Sequence, residues 1–166
     1  MIPVKKFVYE LKKNDLKFAS GVPDSLLKDL CFELENTYKS KHISAPNEGV
    51  AVSLGVGYNL KTNKIPIIYL QNSGFGNAIN PLISIADKRV FKIPLFLIMG
   101  WRGETGKMIA DEPQHQTQGE ITTSLLRSLT IKYTIIDKKS DFKNDIKKLK
   151  NYLKKNHVPV CLLVRK

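Results

Sequence analysis

The sequence predicts an α/β fold of three layers, a six-stranded, mainly parallel sheet with helices on both faces. Two observations lead there. Short, almost continuously apolar runs recur, such as Lys64-Ile-Pro-Ile-Ile-Tyr-Leu and Ile93-Pro-Leu-Phe-Leu-Ile-Met, and they suit strands buried on both sides. Between them lie segments whose apolar residues return at helical spacing. Strands alternating with helices imply crossover connections and a parallel sheet.

The elements follow in order. A first helix covers residues 3–14 and leads to a short strand at 18–20. Gly21-Val-Pro-Asp-Ser makes the next turn, where Asp24 or Ser25 caps a helix carrying Leu26, Leu27, Leu30 and Leu34. A strand at 42–45 precedes a helix of small residues, Asn47-Glu-Gly-Val-Ala-Val-Ser-Leu-Gly-Val-Gly-Tyr-Asn-Leu. Residues 64–70 form the third strand, with Pro66 near its start, where strands tolerate proline. Gln71-Asn-Ser-Gly-Phe-Gly-Asn turns into a helix whose apolar side holds Ile79, Leu82, Ile83, Ile85 and Ala86. The fourth strand is 93–99; helices near 121–129 and 141–155 flank a fifth at 131–135, and 158–164 is the last.

A chain of 166 residues, 42% apolar and 25% charged, suits one domain with a sizeable core. No apolar run approaches the ~20 residues of a membrane span, and the first residues lack the apolar stretch of a secretory signal. Cys31 and Cys161 each sit among apolar neighbours, as buried thiols in a reducing compartment do. A cytoplasmic protein is expected. The formal charge of +12 invites an anionic partner. Much of it, however, lies in residues 138–155, where eight lysines meet only Asp141 and Asp145. There Phe142, Ile146, Leu149 and Leu153 take one helix face and leave the lysines the solvent face. Without aromatic–basic interleaving, nucleic acid is not expected as a partner, and neither is a membrane.

In a parallel sheet all carboxyl ends lie along one edge, where open α/β folds bind ligands. The polar loops after the first four strands should therefore meet in one crevice. Three constellations stand there. Asn47 is a good N-cap, which puts Glu48 in the first turn of its helix, a place that favours a carboxylate. A capping role alone would explain it. Yet Gly49, Ala51, Ser53, Gly55 and Gly57 leave the helix bare, so another backbone or a flat ligand can approach and desolvate Glu48 enough for proton handling.

In the second constellation, Gly74 and Gly76 either make a tight turn or expose amides to a phosphate. The neighbouring Gln71, Asn72, Ser73, Asn77 and Asn80 supply amides and a hydroxyl for a polar heterocycle or a partner chain. The third, Gly100-Trp-Arg-Gly-Glu-Thr-Gly followed by Asp111-Glu-Pro-Gln-His-Gln-Thr-Gln-Gly, is the longest stretch without periodicity and reads as an active-site loop. His115, beside Asp111, Glu112, Gln114 and Gln116, is a general-acid candidate. Arg102 is placed either to grip a phosphonate or carboxylate or to pair with Glu104. No metal-ligand cluster, cysteine nucleophile motif or Gly-x-Ser-x-Gly elbow occurs, and His42 and His157 suggest no chemical role.

Taken together, Gly21-Val-Pro-Asp-Ser, Asn47-Glu-Gly, Gln71-Asn-Ser-Gly-Phe-Gly-Asn and the two segments around His115 resemble the phosphonopyruvate decarboxylase family nearly end to end. The resemblance is to the pyrimidine-binding domain of these thiamine-diphosphate-dependent 2-oxo acid decarboxylases. The alpha subunit of sulfopyruvate decarboxylase is similar in layout and shares the Asn-Ser-Gly turn. The stretch Gly103-Glu-Thr-Gly-Lys-Met-Ile-Ala-Asp departs from the family in being longer and more apolar.

The resemblance implies a lyase acting on a small anionic 2-oxo acid with thiamine diphosphate. Glu48 matches the glutamate that hydrogen-bonds N1′ of the aminopyrimidine, and Gln71, Asn72, Ser73 and Gly74 would lie near that ring. Asp24 and His115 match positions that handle protons in the later steps. Ser25, Arg102 and Gln114 are candidates for the substrate. Family members hold magnesium and the diphosphate through a Gly-Asp-Gly motif and a later Asn in a second domain. Residues 1–166 contain no Gly-Asp-Gly and read as one pyrimidine-binding domain. Either the chain is a natural small subunit or it is a truncated product; the first is expected, with a partner subunit carrying that motif and self-association.

Overall fold

Alternate residues of the same strand feed two separate cores, and this holds the sheet between two helical layers. The computed structural model describes residues 2–104 and 112–165. Its strands are β1 (Ala19–Gly21), β2 (His42–Ser44), β3 (Ile67–Gln71), β4 (Phe96–Gly100), β5 (Lys132–Ile136) and β6 (Val160–Val164). They pair in the order β2-β1-β3-β4-β6-β5, and every pairing is parallel. Ile67, Tyr69, Phe96 and Ile98 point to one side, Ile68, Leu70, Leu97 and Met99 to the other.

On the first side pack α1 (Val4–Lys13), α2 (Lys28–Tyr38) and α6 (Phe142–Asn156), through Phe7, Leu11, Leu30, Leu34, Ile146 and Leu153. On the second lie α3 (Glu48–Thr62), α4 (Phe75–Pro81) and α5 (Pro113–Ser128), through Ala51, Val52, Val56, Phe75, Ala78 and Leu126. Burying both faces of the sheet is what the apolar strands require, since each fully buried Leu or Ile contributes about 1.5–3 kcal/mol. Lys143, Lys147, Lys148, Lys154 and Lys155 stand exposed on α6, as its periodicity predicts.

The predicted elements are all present, with four corrections. The helix after β3 passes at Leu82–Ala86 into a π-helical turn, on which Ile83 is exposed rather than part of the apolar side. Residues 113–120 are helical, so the supposed loop around His115 is the start of α5. Helix α2 begins at Lys28 rather than in the turn that holds Leu26 and Leu27. Cys161 is a buried thiol, but Cys31 is only half-buried, and the two lie on opposite sides of the sheet. No helix among the described residues is long and apolar enough to cross a membrane.

The chain leaves β1 for one neighbour, β2, and comes back on the other side as β3. Helices α2 and α4, which follow β1 and β3, therefore leave the adjoining strand ends toward opposite layers. The loops after β1 and β3 diverge at that point and open a crevice between them.

Candidate active site

Glu48 opens α3 because Asn47, in extended conformation, caps it: Asn47 Oδ1 accepts from Val50 N at 3.0 Å. The Glu48 side chain is 8% exposed and turns inward onto the segment after β3. Asn77 Nδ2 donates to its Oε2 at 2.9 Å. A Cβ on Gly74 would overlap the Glu48 carboxylate, so a glycine is what lets the carboxylate lie there. Of the two readings of Gly74, close approach is the one realised, and the approaching group is Glu48. Gly49 likewise lets α3 settle against the Asn77 carbonyl.

Asp24 arrives from the other side of the crevice and is 5% exposed. Its carboxylate accepts from Leu26 N and Leu27 N, both at 3.2 Å, so it caps the turn before α2 rather than the helix itself. It also reaches over β4, occupying the space that a Cβ on Gly100 would fill. Burial pushes its pKa above the ordinary 3.8, while the two backbone N–H groups, Arg102 and His115 pull in the opposite direction. Arg102 approaches the same turn, its Nη1 3.4 Å from Ser25 Oγ. Glu104 accepts from Arg165 Nη1 at 2.8 Å, next to the Arg165–Asp137 pair.

His115 sits on the first turn of α5, 9% exposed. Its Nε2 stands 3.3 Å from Gln71 Nε2, and Gln71 also donates to Ser73 Oγ at 2.7 Å. Gln114 is exposed and lies about 100° around the helix from His115. Asp111 falls outside the described residues. Among the predicted residues, Asp24, Ser25, Arg102, Gln71, Ser73 and His115 are linked by direct contacts or charge. Glu48 and Gly74 join them through the Gln71–Gly74 turn.

Asn72 behaves differently. It is 2% exposed, and its amide donates to Arg102 O and Thr122 Oγ1, each at 2.9 Å. Both N–H bonds are thus engaged within the protein. Asn77, Gly100, Gly103, Gly119 and Thr122 also shape the site, and all but Thr122 lie within the segments that the sequence marks for it. None of the five was given a role of its own there. His42 makes a structural contact, its Nε2 3.0 Å from Tyr69 Oη, and that ring crosses β1 where Gly21 has no side chain.

The match to known proteins decides the family. Residues 4–126 match the thiamine pyrophosphate enzyme family, in its N-terminal TPP binding domain. The chain belongs to the thiamine pyrophosphate enzymes. It is 33% identical over 141 residues to a phosphonopyruvate decarboxylase of Streptomyces viridochromogenes, covering 85% of this chain and 34% of that protein. It is 30% identical over 120 residues to the sulfopyruvate decarboxylase subunit alpha of Methanococcus maripaludis, covering 72% and 68% respectively. It therefore spans about a third of one relative and two thirds of the other. Benzoylformate decarboxylase from Polynucleobacter necessarius shares the fold, with a TM-score of 0.73 and 20% identity over 99% of this chain and 30% of that one.

The residues present fit the pyrimidine end of the cofactor that gives the family its name. A buried carboxylate over a side-chain-free Gly74, steadied by Asn77, suits a ring nitrogen that must share a proton. Among the described residues no group of three or more His, Cys, Asp or Glu side chains is arranged to hold a metal.

Proposed function

We propose that this chain is the pyrimidine-binding domain of a thiamine-diphosphate-dependent decarboxylase that converts 3-phosphonopyruvate to phosphonoacetaldehyde and CO2. In this reading a second polypeptide with the Gly-Asp-Gly motif and later Asn holds magnesium and the diphosphate, and the chains associate around a shared site. One observation carries the proposal: the Glu48 carboxylate, at the head of a glycine-thinned helix, lies against the Gln71–Gly74 turn in the crevice. The name "subunit alpha" borne by the Methanococcus maripaludis relative supports a divided enzyme.

When bound, the cofactor supplies a thiazolium that accepts the electron pair released with CO2. The rest falls to the chain. Glu48 shares a proton with the pyrimidine N1′, and Asn77 holds the carboxylate in orientation. Decarboxylation replaces CO2 by a proton at the same carbon; the buried Asp24 carboxyl and His115 Nε2 move that proton. Ser25, Arg102 and the exposed Gln114 receive the substrate, with Arg102 opposite its tetrahedral anion. Gln71 and Ser73 border the pyrimidine.

Sulfopyruvate is the second reading for the substrate, because the chain is also 30% identical over 120 residues to a sulfopyruvate decarboxylase subunit alpha. Both acids have three carbons and a tetrahedral anionic group, so the same residues serve either. The test is aldehyde formation by the chain co-purified with a Gly-Asp-Gly partner, given each acid in turn. Glu48→Gln should lower kcat about 10²-fold or more with the fold intact, and the chain without a partner should release no CO2. Full turnover by Glu48→Gln would make the chain a non-catalytic binding module; turnover without a partner would end the shared-site claim.

A further inference from the structure

Asn72 stands just after β3, among groups that belong to three different segments. Its Oδ1 accepts from Arg102 N at 3.1 Å and its Nδ2 donates to Arg102 O at 2.9 Å, so it pairs with both backbone groups of one residue as a neighbouring strand would. The second N–H goes to Thr122 Oγ1 at 2.9 Å, and that hydroxyl donates to Gln118 O at 2.5 Å. One side chain thus joins the turn after β3, the segment after β4 and the middle of α5.

Two further contacts converge on the same seam. Trp101 Nε1 donates to Gly119 O at 3.0 Å. Gly103, at φ +68°, packs its backbone against the His115 carbonyl and against Gly119, an approach that a Cβ on either glycine would block. The backbone of His115 is held by Gly103, its helix by Thr122 and Gly119, and its ring meets Gln71 at 3.3 Å.

We propose that Asn72 is a positioning residue: by clamping the Arg102 backbone and the Thr122 hydroxyl, it fixes His115 and Arg102 against the Gln71–Gly74 turn. A residue 2% exposed with both N–H bonds spent inside the protein acts through its neighbours. Replacing it by an apolar side chain would remove both of its hydrogen bonds to the Arg102 backbone, which favours a rearranged segment. The effect on catalysis rests on the decarboxylase reading; the geometry does not.

The experiment compares Asn72→Ala, Thr122→Val and Thr122→Ser. In the folded chain, NMR should show the His115 ring resonances displaced in Asn72→Ala and Thr122→Val, and the Arg102 amide exchanging about tenfold faster in Asn72→Ala. Thr122→Ser, which keeps the hydroxyl, should restore the wild-type His115 signals. In the complex with the diphosphate-binding partner, kcat should fall about ten- to a hundredfold in the first two variants, with KM little changed. Should Asn72→Ala not fold, Thr122→Val decides. Unmoved His115 resonances in folded Thr122→Val would overturn the clamp, whatever turnover does. Displaced resonances with unchanged turnover would uphold it and instead remove His115 from the proposed chemistry.

Discussion

Two helices bring a buried titratable group to the same crevice, and they do it in opposite ways. Helix α3 carries Glu48 in its first turn behind an Asn47 cap, with small residues along its length and an apolar inner face of Ala51, Val52 and Val56. Helix α5 carries His115 in its first turn, but its inner positions are His115, Gly119, Thr122 and Leu126. That spacing is helical, but only Leu126 among the four supplies an apolar side chain. A polar inner face is stable only where each group finds a partner, and here the partners come from Asn72, Trp101 and Gly103. Glu48 is placed mainly by its own helix and His115 mainly by its neighbours.

If that contrast holds, the seam beside His115 should be the more fragile one. Gly103→Ala combines a left-handed backbone with a collision at the His115 carbonyl, and should cost more than about 2 kcal/mol in denaturant unfolding. Gly74→Ala, whose new methyl meets the movable Glu48 side chain, should cost about 1–3 kcal/mol and displace the carboxylate. A larger loss from Gly74→Ala would reverse the comparison.

Asp24 sharpens it further. Its folded pKa is raised by burial, so its contribution to stability is complete below the ordinary 3.8 and is lost as pH rises through the higher folded value. Asp24→Asn should therefore gain stability relative to wild type as pH goes from 3 toward 6 in thermal melts at stepped pH. A difference that does not change with pH would show the carboxyl to be unstrained by its site. The smallest effect belongs to Gly57→Ala: its Cβ meets nothing within 4 Å on the exposed side of α3, and it should stabilise by about 0.5–1 kcal/mol.

The order of elements, the parallel sheet and the edge on which the polar loops gather were legible because apolar periodicity records burial directly. Glu48 was legible for the same reason, since an N-cap and a run of small residues are local signals. The beginning of α5 was not, because a helix whose buried side is polar leaves no hydrophobic pattern. Nor was the task of Asn72, since one among several amides in a turn looks the same whether it faces a ligand or a neighbouring backbone.

By itself, then, the sequence determined the layered fold, the crevice and the residue types that line it, all consequences of short-range pattern and chain connectivity. Which oxygen of Glu48 meets Asn77, that Gly74 and Gly100 make room for carboxylates, and that Asn72 ties three segments together were decided only in the tertiary structure. Contacts such as Asn72 to Thr122 join residues 50 positions apart, and no local rule of spacing specifies them.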